Sequence, residues 1–306
     1  MIQVPLISKL LADPRSNMAA LVDHAFEGLK PNTLRAYEKA WDDFARFLGL
    51  PHRGAAASRL LELGQGQANA LALTYQTSMQ TLKLSPSTIR TRIAALKGIL
   101  NRLRIMGVLN WKLEIRGPKV KGYKDTRGPG KDFVLKVISD LQAKPDLKSV
   151  RDLAIIHLIY TRGLRRGEVA SLDLGHLEMN KDRLWILGKA RDEREQISLP
   201  PKTKVSLEAW LKVRPAGGDA VFVSLDNASY GKRLTGNGVW KITTSYGLGR
   251  PHGVRHTAIT EVLDKTNDLR TAQEFSRHKD LRILQTYDDN RKDRAGKAAN
   301  LLDEET

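Results

Sequence analysis

The sequence predicts a mainly α-helical protein with one small antiparallel β-hairpin, divided into two domains. Apolar residues recur at three- and four-residue steps over most of the chain, and only the segment 183–199 shows two short strands joined by a polar turn. A third observation is the segment 117–131, which combines Gly, Pro and Lys and has almost nothing to bury. It predicts a basic linker between an all-helical domain at 1–116 and an α+β domain at 132–306.

The chain is strongly basic in both halves. Its 306 residues include 51 Lys or Arg against 34 Asp or Glu, a formal net charge of +17. Residues 1–120 carry 17 basic against 8 acidic residues, and the rest carries 34 against 26. This excess predicts a polyanionic partner, nucleic acid before an anionic membrane, and a generic solubilising surface is the alternative. Because the charge is shared, we expect a duplex gripped from two sides.

The sequence lacks the residues that several other protein classes require. It contains no Cys, which excludes disulfides, thiolate zinc sites and a Cys nucleophile. It has no HExxH, no clustered carboxylates, no GxSxG elbow and no P-loop, so we expect no metal, nucleotide or other cofactor. No apolar run has the length of a membrane span, and the first residues lack a secretory pattern. The expectation is a cytoplasmic, nucleoid-associated protein without a membrane partner.

In the first domain the apolar pattern predicts helices at 31–48, 68–82 and 86–106, with a loop from the first of these to about residue 70. The aromatic residues of the first helix follow its apolar stripe. We therefore expect them in the core, in preference to a platform for stacking bases.

The third of these helices has a charged face of one sign. Residues 84–119 contain eight Lys or Arg and one acid, Glu114, whereas an ordinary solvated face mixes signs. The pattern favours a phosphate-contacting surface, and a lightly used basic surface is the alternative. The candidate DNA contacts on this helix are Arg90, Arg92, Lys97, Arg102 and Arg104.

In the second domain the pattern predicts a helix at 132–142 and an almost wholly apolar one at 150–160. A helix that is apolar all round is buried, so His157 is expected to be a core histidine. Gly163 ends this helix, and a short helix opens around Arg165. Its Leu164 and Glu168-Val169-Leu172 pattern places Arg165 near a packed turn.

The predicted hairpin at 183–199 places Lys189 where its first strand enters the turn. A helix at 202–213 follows. The segment 230–241 then reads as a loop that supplies Lys232 and Arg233 as candidate phosphate contacts.

The segment 251–290 holds a dense set of chemically active side chains. On a helix that starts near Pro251, His252, Arg255 and His256 share one face, because they are spaced i, i+3 and i+4. A supporting helix carries Leu269, Ala272 and Phe275. A last short helix, anchored by Leu281 and Leu284, carries His278 before it and Tyr287 one turn beyond Leu284.

Cations, imidazoles and one phenol are suited to metal-free phosphoryl transfer. A phenol has a pKa of about 10 and is a poor nucleophile at neutral pH unless cations surround it and its target. Two arginine forks can hold the non-bridging oxygens of a phosphodiester, and a lysine can protonate the leaving oxygen.

These residues resemble the tyrosine recombinases, a family that includes phage integrases and the recombinases that resolve chromosome dimers. The family pattern is T-G-L-R-x-x-E, a hairpin lysine, H-x-x-R, a His or Trp, and a tyrosine. Here RGLRRGE, LGKARDER, HGVRH and RHKDLRILQTY fill all six catalytic positions in order. The catalytic positions implied are Arg165, Lys189, His252, Arg255, His278 and Tyr287. Arg162 and Arg277 depart from the pattern, which has no Arg at its first position and usually has Gly before His278.

The resemblance implies a core-binding domain at 1–116 and a catalytic domain that together form a C-shaped clamp around DNA. It implies that Tyr287 attacks a scissile phosphate, Arg165, Arg255 and His278 stabilise the transition state, and Lys189 is the general acid. His252 handles a proton or positions a neighbour. The implied partners are double-stranded DNA with a specific recombination site and three further copies of the chain. A type IB topoisomerase and a catalytically silent architectural protein are the alternatives.

Overall fold

The computed structural model describes residues 18–119, 128–188 and 193–278, together with residues 280 and 284. The chain forms two compact units, Met1–Gly122 and Tyr123–Thr306. The division falls within the predicted linker 117–131, of which residues 120–127 lie outside the described part. The domain limits taken from composition remain a prediction. Among the described helices, none is both long and apolar enough to cross a bilayer.

The first unit is helical throughout its described residues. Its helices pack around a core that includes Trp41, Phe44 and Leu96, all fully buried. The helices are α1 (Met18–His24), α2 (Pro31–Phe47), α3 (Arg53–Leu61), α4 (Gln65–Thr81) and α5 (Pro86–Ile105). The expectation that the aromatic residues of α2 belong to the core is confirmed for Trp41 and Phe44.

Helix α5 begins where its sequence predicts and packs against α2. The Ser85 hydroxyl accepts a hydrogen bond from the Thr88 amide at 3.2 Å, and Pro86 occupies the first turn, where its missing N–H is not needed. The indole of Trp41 donates to the Ala95 carbonyl at 3.2 Å, which satisfies the polar atom of a buried ring. This pairing fixes α2 against the buried face of α5.

The loop predicted as far as residue 70 was wrong, because this segment contains α3. His52 caps that helix by accepting from the Ala55 amide at 3.2 Å. The buried side chains of α3 are Ala56, Ala57 and Leu60, which are small enough for close packing. Alanine has the highest helix propensity, but so short a helix depends on tertiary contacts that the local pattern does not show.

The second unit consists of helices and a small sheet that share one core. Its helices are α6 (Lys131–Gln142), α7 (Leu147–Arg162), α8 (Arg166–Ala170), α9 (Pro201–Val213), α10 (Gly236–Ser245), α11 (Pro251–Thr266) and α12 (Leu269–Ser276). Helix α7 is buried on nearly every side, as its composition predicts. Asp146 opens it by accepting from the amides of Lys148 and Ser149, and Gly163 closes it in the left-handed conformation.

The sheet contains β1 (Leu177–Glu178), β2 (Arg183–Leu187) and β3 (Arg194–Ser198), antiparallel in that order. Strands β2 and β3 pair in the register Leu184 with Ile197 and Trp185 with Gln196. Leu184, Ile186 and Ile197 are buried against the helical core. The predicted hairpin is therefore confirmed, and Lys189 lies outside the described residues.

The loop predicted at 230–241 was wrong in its second half, where α10 begins. Thr235 caps this helix by accepting from the Gly238 amide at 3.1 Å. Two glycines in the first turn, Gly236 and Gly238, weaken the local helix signal. The buried side chains of Val239 and Ile242 supply the packing that stabilises the helix.

His157 is a core residue, 3% exposed, and this prediction is confirmed. Its Nδ1 lies 2.9 Å from the Ser206 hydroxyl. Burial, with the charge of Lys202, lowers the pKa of His157 to about 4. Between pH 6.5 and about 4 the unfolded chain therefore binds a proton that the folded chain does not, and the free energy of unfolding falls as the pH falls.

We expect His157→Leu to reduce this pH dependence. Between pH 7 and 4.5 the protonation of His157 should lower the free energy of unfolding of the wild type by on the order of 2 kcal/mol. The variant has no such group and should not show this loss. Urea denaturation of the two proteins at a series of pH values measures the difference. Equal pH slopes in both proteins would contradict the assignment.

Candidate active site

The turn between α7 and α8 holds Arg165 in a fixed position. The main-chain amide of Arg165 donates to Glu168 Oε2 at 2.8 Å, and its Nη1 donates to Glu168 Oε1 at 2.7 Å. The Glu168 side chain is 3% exposed, whereas that of Arg165 is 29% exposed. A buried carboxylate thus holds the arginine from behind while the guanidinium keeps access to solvent.

Arg255 on α11 joins three segments of the second unit. It is 1% exposed, and it donates to the carbonyl oxygens of Gly163 and Ser276. Its Nη2 also lies 3.5 Å from Nε2 of His278. One guanidinium therefore connects the turn before Arg165 with the end of α12 and with His278.

Gly163 is required at the end of α7 because its φ is +57° and its surroundings are close. A Cβ at this position would lie 3.2 Å from the Phe275 ring and 3.7 Å from Nη1 of Arg255. A larger residue would be strained in backbone and would press on the arginine.

The two histidines share the electrostatic field of these arginines. Burial, then the charges of Arg255 and Arg165, lowers the pKa of His278 to about 4. Desolvation, then Arg255, also lowers the pKa of His252, although its side chain keeps an exposed edge in the first turn of α11. Both imidazoles are therefore neutral at pH 7, and each has one N–H and one lone pair.

His256 is a structural residue in this arrangement. It is 3% exposed and lies on the buried side of α11, where its Nδ1 is 3.4 Å from the Thr260 hydroxyl. The three residues predicted to share a face of α11 therefore have different roles. His252 and Arg255 belong to the candidate site, whereas His256 contributes to packing.

Arg277 is a residue of the site that sequence reasoning missed. Its side chain is 4% exposed, and its Nη2 lies 2.9 Å from Glu168 Oε2. Only the departure from Gly at this position indicated anything unusual. The pattern does not show that the partner is Glu168, which is 109 positions away in the chain.

The remaining predicted catalytic residues, Lys189 and Tyr287, lie outside the described part of the chain. So does Leu281 of the predicted last helix. Leu284, the other anchor, is fully buried and packs with Ile259, Leu263 and Ala272.

The candidate DNA contacts divide into two groups. Five make contacts within the protein: Arg92 with Asp43, Lys97 with the Ile115 carbonyl, Arg102 with the Glu27 carbonyl, Arg104 with the Asn101 side chain, and Arg233 with Asp173. Arg90 and Lys232 are exposed and have no such contact with the described residues. Because an internal partner uses donors that a phosphate would need, these two are the stronger candidates.

The chemistry of the described site is that of an anion receptor. Arg165 and Arg277 bind Glu168, Arg255 lies beside His278, and the imidazoles of His252 and His278 are neutral. In the described part of the chain, no group of three or more His, Asp or Glu is placed to hold a metal ion. The excess of positive charge suits a bound phosphate.

Comparison with known proteins agrees with this arrangement. The model of the phage integrase family matches residues 133–294. A tyrosine recombinase from Synechocystis sp. is 34% identical over 305 residues, which cover 94% of this chain and 97% of the relative. The tyrosine recombinase XerC from Salmonella typhi is 26% identical, with 85% of each chain covered.

Solved structures show the same fold at lower identity. A dimer of lambda integrase bound to a core site matches 90% of this chain and 96% of its own, with a TM-score of 0.63 and 15% identity. XerH recombinase bound to a palindromic difH substrate matches 79% of this chain and 73% of its own, with a TM-score of 0.57 and 19% identity. With the family match over more than half of the sequence, these likenesses lead to one conclusion: the chain belongs to the phage integrase family of tyrosine recombinases.

Proposed function

We propose that this protein is a site-specific DNA recombinase that cuts and rejoins DNA through a 3′-phosphotyrosyl intermediate. The observation that carries the proposal is the meeting of Arg165, Arg255 and His278, from three separate segments, around one positively charged site. A scissile phosphate is the ligand that these donors suit.

In the first step Tyr287 is the nucleophile. Its oxygen forms a bond to phosphorus, the bond from phosphorus to the 5′ oxygen breaks, and Lys189 gives that oxygen a proton, which releases a 5′-hydroxyl. The phenol proton passes to His252 or to water. The reverse reaction with a 5′-hydroxyl from another strand rejoins the DNA. Because the phosphotyrosyl ester conserves the energy of the phosphodiester, the route needs neither ATP nor a metal.

The described residues support the transition-state roles. Arg165 and Arg255 bind the non-bridging oxygens, and neutral His278 donates one hydrogen bond to the same phosphate. A bound phosphate supplies negative charge between these arginines and reduces their mutual repulsion. Binding of DNA therefore lowers the electrostatic cost of keeping the cations together.

We further propose the partners. The substrate is double-stranded DNA with a specific recombination site, and two such sites with four copies of the chain form the synaptic complex. The solved relatives that are bound to a core site or to difH support a DNA partner. The chain's net charge of +17 supports binding to DNA in the nucleoid.

Tyr287→Phe should abolish the covalent adduct. A target duplex, selected from a random pool by binding and nicked near the cleavage position, traps the wild-type protein on DNA, and the adduct is measured by denaturing electrophoresis. Tyr230→Phe, which changes an exposed tyrosine in the same unit, should leave trapping unchanged. An adduct that survives Tyr287→Phe would exclude this nucleophile, and relaxation of supercoils without a defined site would favour a topoisomerase.

Lys189→Ala should slow cleavage of ordinary DNA and be rescued by a better leaving group. Sulfur in place of the 5′ bridging oxygen leaves as a thiolate and needs no proton, so the variant should cleave this substrate at close to the wild-type rate. Lys212→Ala, a change at an exposed lysine on α9, is the control for loss of charge. Failure of the sulfur substrate to rescue Lys189→Ala would reject the role of general acid.

Arg165→Ala and Arg255→Ala should lose similar amounts of cleavage activity but different amounts of stability. Each should lower single-turnover cleavage by about 10²–10³. Only Arg255→Ala leaves the buried Ser276 carbonyl without its donor and the Gly163 carbonyl with Arg277 alone. This should lower the free energy of unfolding by about 2–4 kcal/mol, against about 1 kcal/mol for Arg165→Ala. Urea denaturation measures the difference, and equal losses of stability would contradict the buried role of Arg255.

A further inference from the structure

Arg277 has two features that are unfavourable for an arginine: a left-handed backbone conformation and a buried side chain. It ends α12 in the left-handed region with φ +55°, which for a side chain larger than Gly costs about 1 kcal/mol. Its side chain is also 4% exposed, although arginine is rarely buried without a partner. Two costs at one residue indicate that the contacts of the guanidinium are specific.

Three of those contacts reach the turn that carries Arg165, and a longer one, at 3.4 Å, goes to the Phe275 carbonyl on α12. Nη1 of Arg277 donates to the Arg162 carbonyl at 2.9 Å. Nη2 donates to the Gly163 carbonyl at 3.3 Å and to Glu168 Oε2 at 2.9 Å. The Gly163 carbonyl also accepts from Arg255, so the two arginines meet on one oxygen.

Glu168 therefore holds two arginines with different surroundings. Oε1 accepts from the Arg165 guanidinium, while Oε2 accepts from the Arg165 amide and from Arg277. Burial works against the charged carboxylate, but the charge of Arg277 and then the hydrogen bonds of Arg165 keep the pKa of Glu168 below its usual value. Without Arg277 the carboxylate loses the strongest of these stabilising contributions.

The position of Arg277 in the chain matters as much as its contacts. It directly precedes His278, and the carbonyl of His278 accepts from the Gln273 side chain at 3.0 Å. A rigid link from Glu168 through Arg277 thus runs to the backbone of His278. Arg165 is at one end of the link and His278 is at the other.

We propose that Arg277 is a positioning residue that sets the distance between Arg165 and His278 by binding Glu168 and the α7–α8 turn. It acts through these neighbours and does not touch the phosphate. The inference rests on the proposed function, since its consequence is a correctly spaced pair of donors on the scissile phosphate. A misplacement of about 1 Å in such a pair lowers a rate by about 10²-fold.

Arg277→Gly is the informative variant, because Gly suits the left-handed cap while it removes the guanidinium. We expect a protein that is folded at the assay temperature by circular dichroism and binds its target DNA with unchanged affinity. Its single-turnover cleavage under saturating DNA should fall by about 10- to 100-fold. The acid limb of its pH–rate profile should move to higher pH, because Glu168 then protonates more readily.

Two matched controls separate this effect from general ones. Asn267→Gly relaxes another left-handed cap, at the exposed end of α11, and Arg270→Ala removes an exposed arginine from α12 itself. Both should cleave at the wild-type rate with an unchanged pH profile. If Arg277→Gly also cleaves as the wild type does, Arg277 is only a helix cap and the proposal is overturned.

Arg277→Lys tests the same point should the Gly variant fail to fold. An ammonium group keeps the charge beside Glu168 but cannot also reach both carbonyls in the planar geometry of a guanidinium. We expect the rate to recover in part, to within about tenfold of the wild type. A folded Lys variant with the full rate and the wild-type pH profile would also overturn the proposal.

A measurement without DNA separates this inference from the proposed function. The charge of Arg277 is among the contributions that lower the pKa of His278 to about 4, so Arg277→Gly should raise that pKa in an NMR titration of the imidazole. An unchanged His278 pKa would reject the link between Arg277 and His278. If the titration moves but the wild type cleaves no DNA, the proposed function fails and the link remains.

Discussion

An isolated carboxylate buried as deeply as that of Glu168 would cost several kcal/mol, and the second unit offsets this cost with two arginines. Arg165 and Arg277 reach Glu168 from different segments of the chain. The same carboxylate accepts a hydrogen bond from the main-chain amide of Arg165, where α8 begins. The start of this helix and the position of the Arg165 side chain therefore both depend on Glu168. Removal of the charge would leave two arginines to repel each other.

The site is otherwise organised by an excess of cations. Arg165, Arg255 and Arg277 lie close enough to one another and to His278 for their charges to hold the pKa of this histidine down, after the effect of burial. Carbonyl oxygens take many of their donors: those of Arg162, Gly163 and Ser276. Carbonyls orient guanidinium groups without neutralising them. The arrangement is therefore preorganised to bind an anion.

Elements with a strong local pattern were predicted well, whereas α1, α3, α10 and β1 were not predicted. Helices α2 and α5, the buried α7 and the β2–β3 hairpin follow from periodicity, and Ser85 and Gly163 also mark the start of α5 and the end of α7. Helix α3 has an alanine-rich sequence next to Gly and Pro, and α10 has two glycines in its first turn. Both are stabilised by side chains packed against distant parts of their unit, which a local window does not contain.

The sequence by itself determined the family, the order of the candidate catalytic residues and their chemical types. These follow from residue types and their spacing along the chain, which can be read without knowing any contact. Only the tertiary structure decided which cations are available. Arg92, Arg233 and Arg277 look like the exposed Arg90 in sequence, yet each binds a carboxylate: Asp43, Asp173 and Glu168, respectively. The physical reason is that a charge is compensated by whatever lies near it in space, and folding brings together partners separated by up to 109 positions.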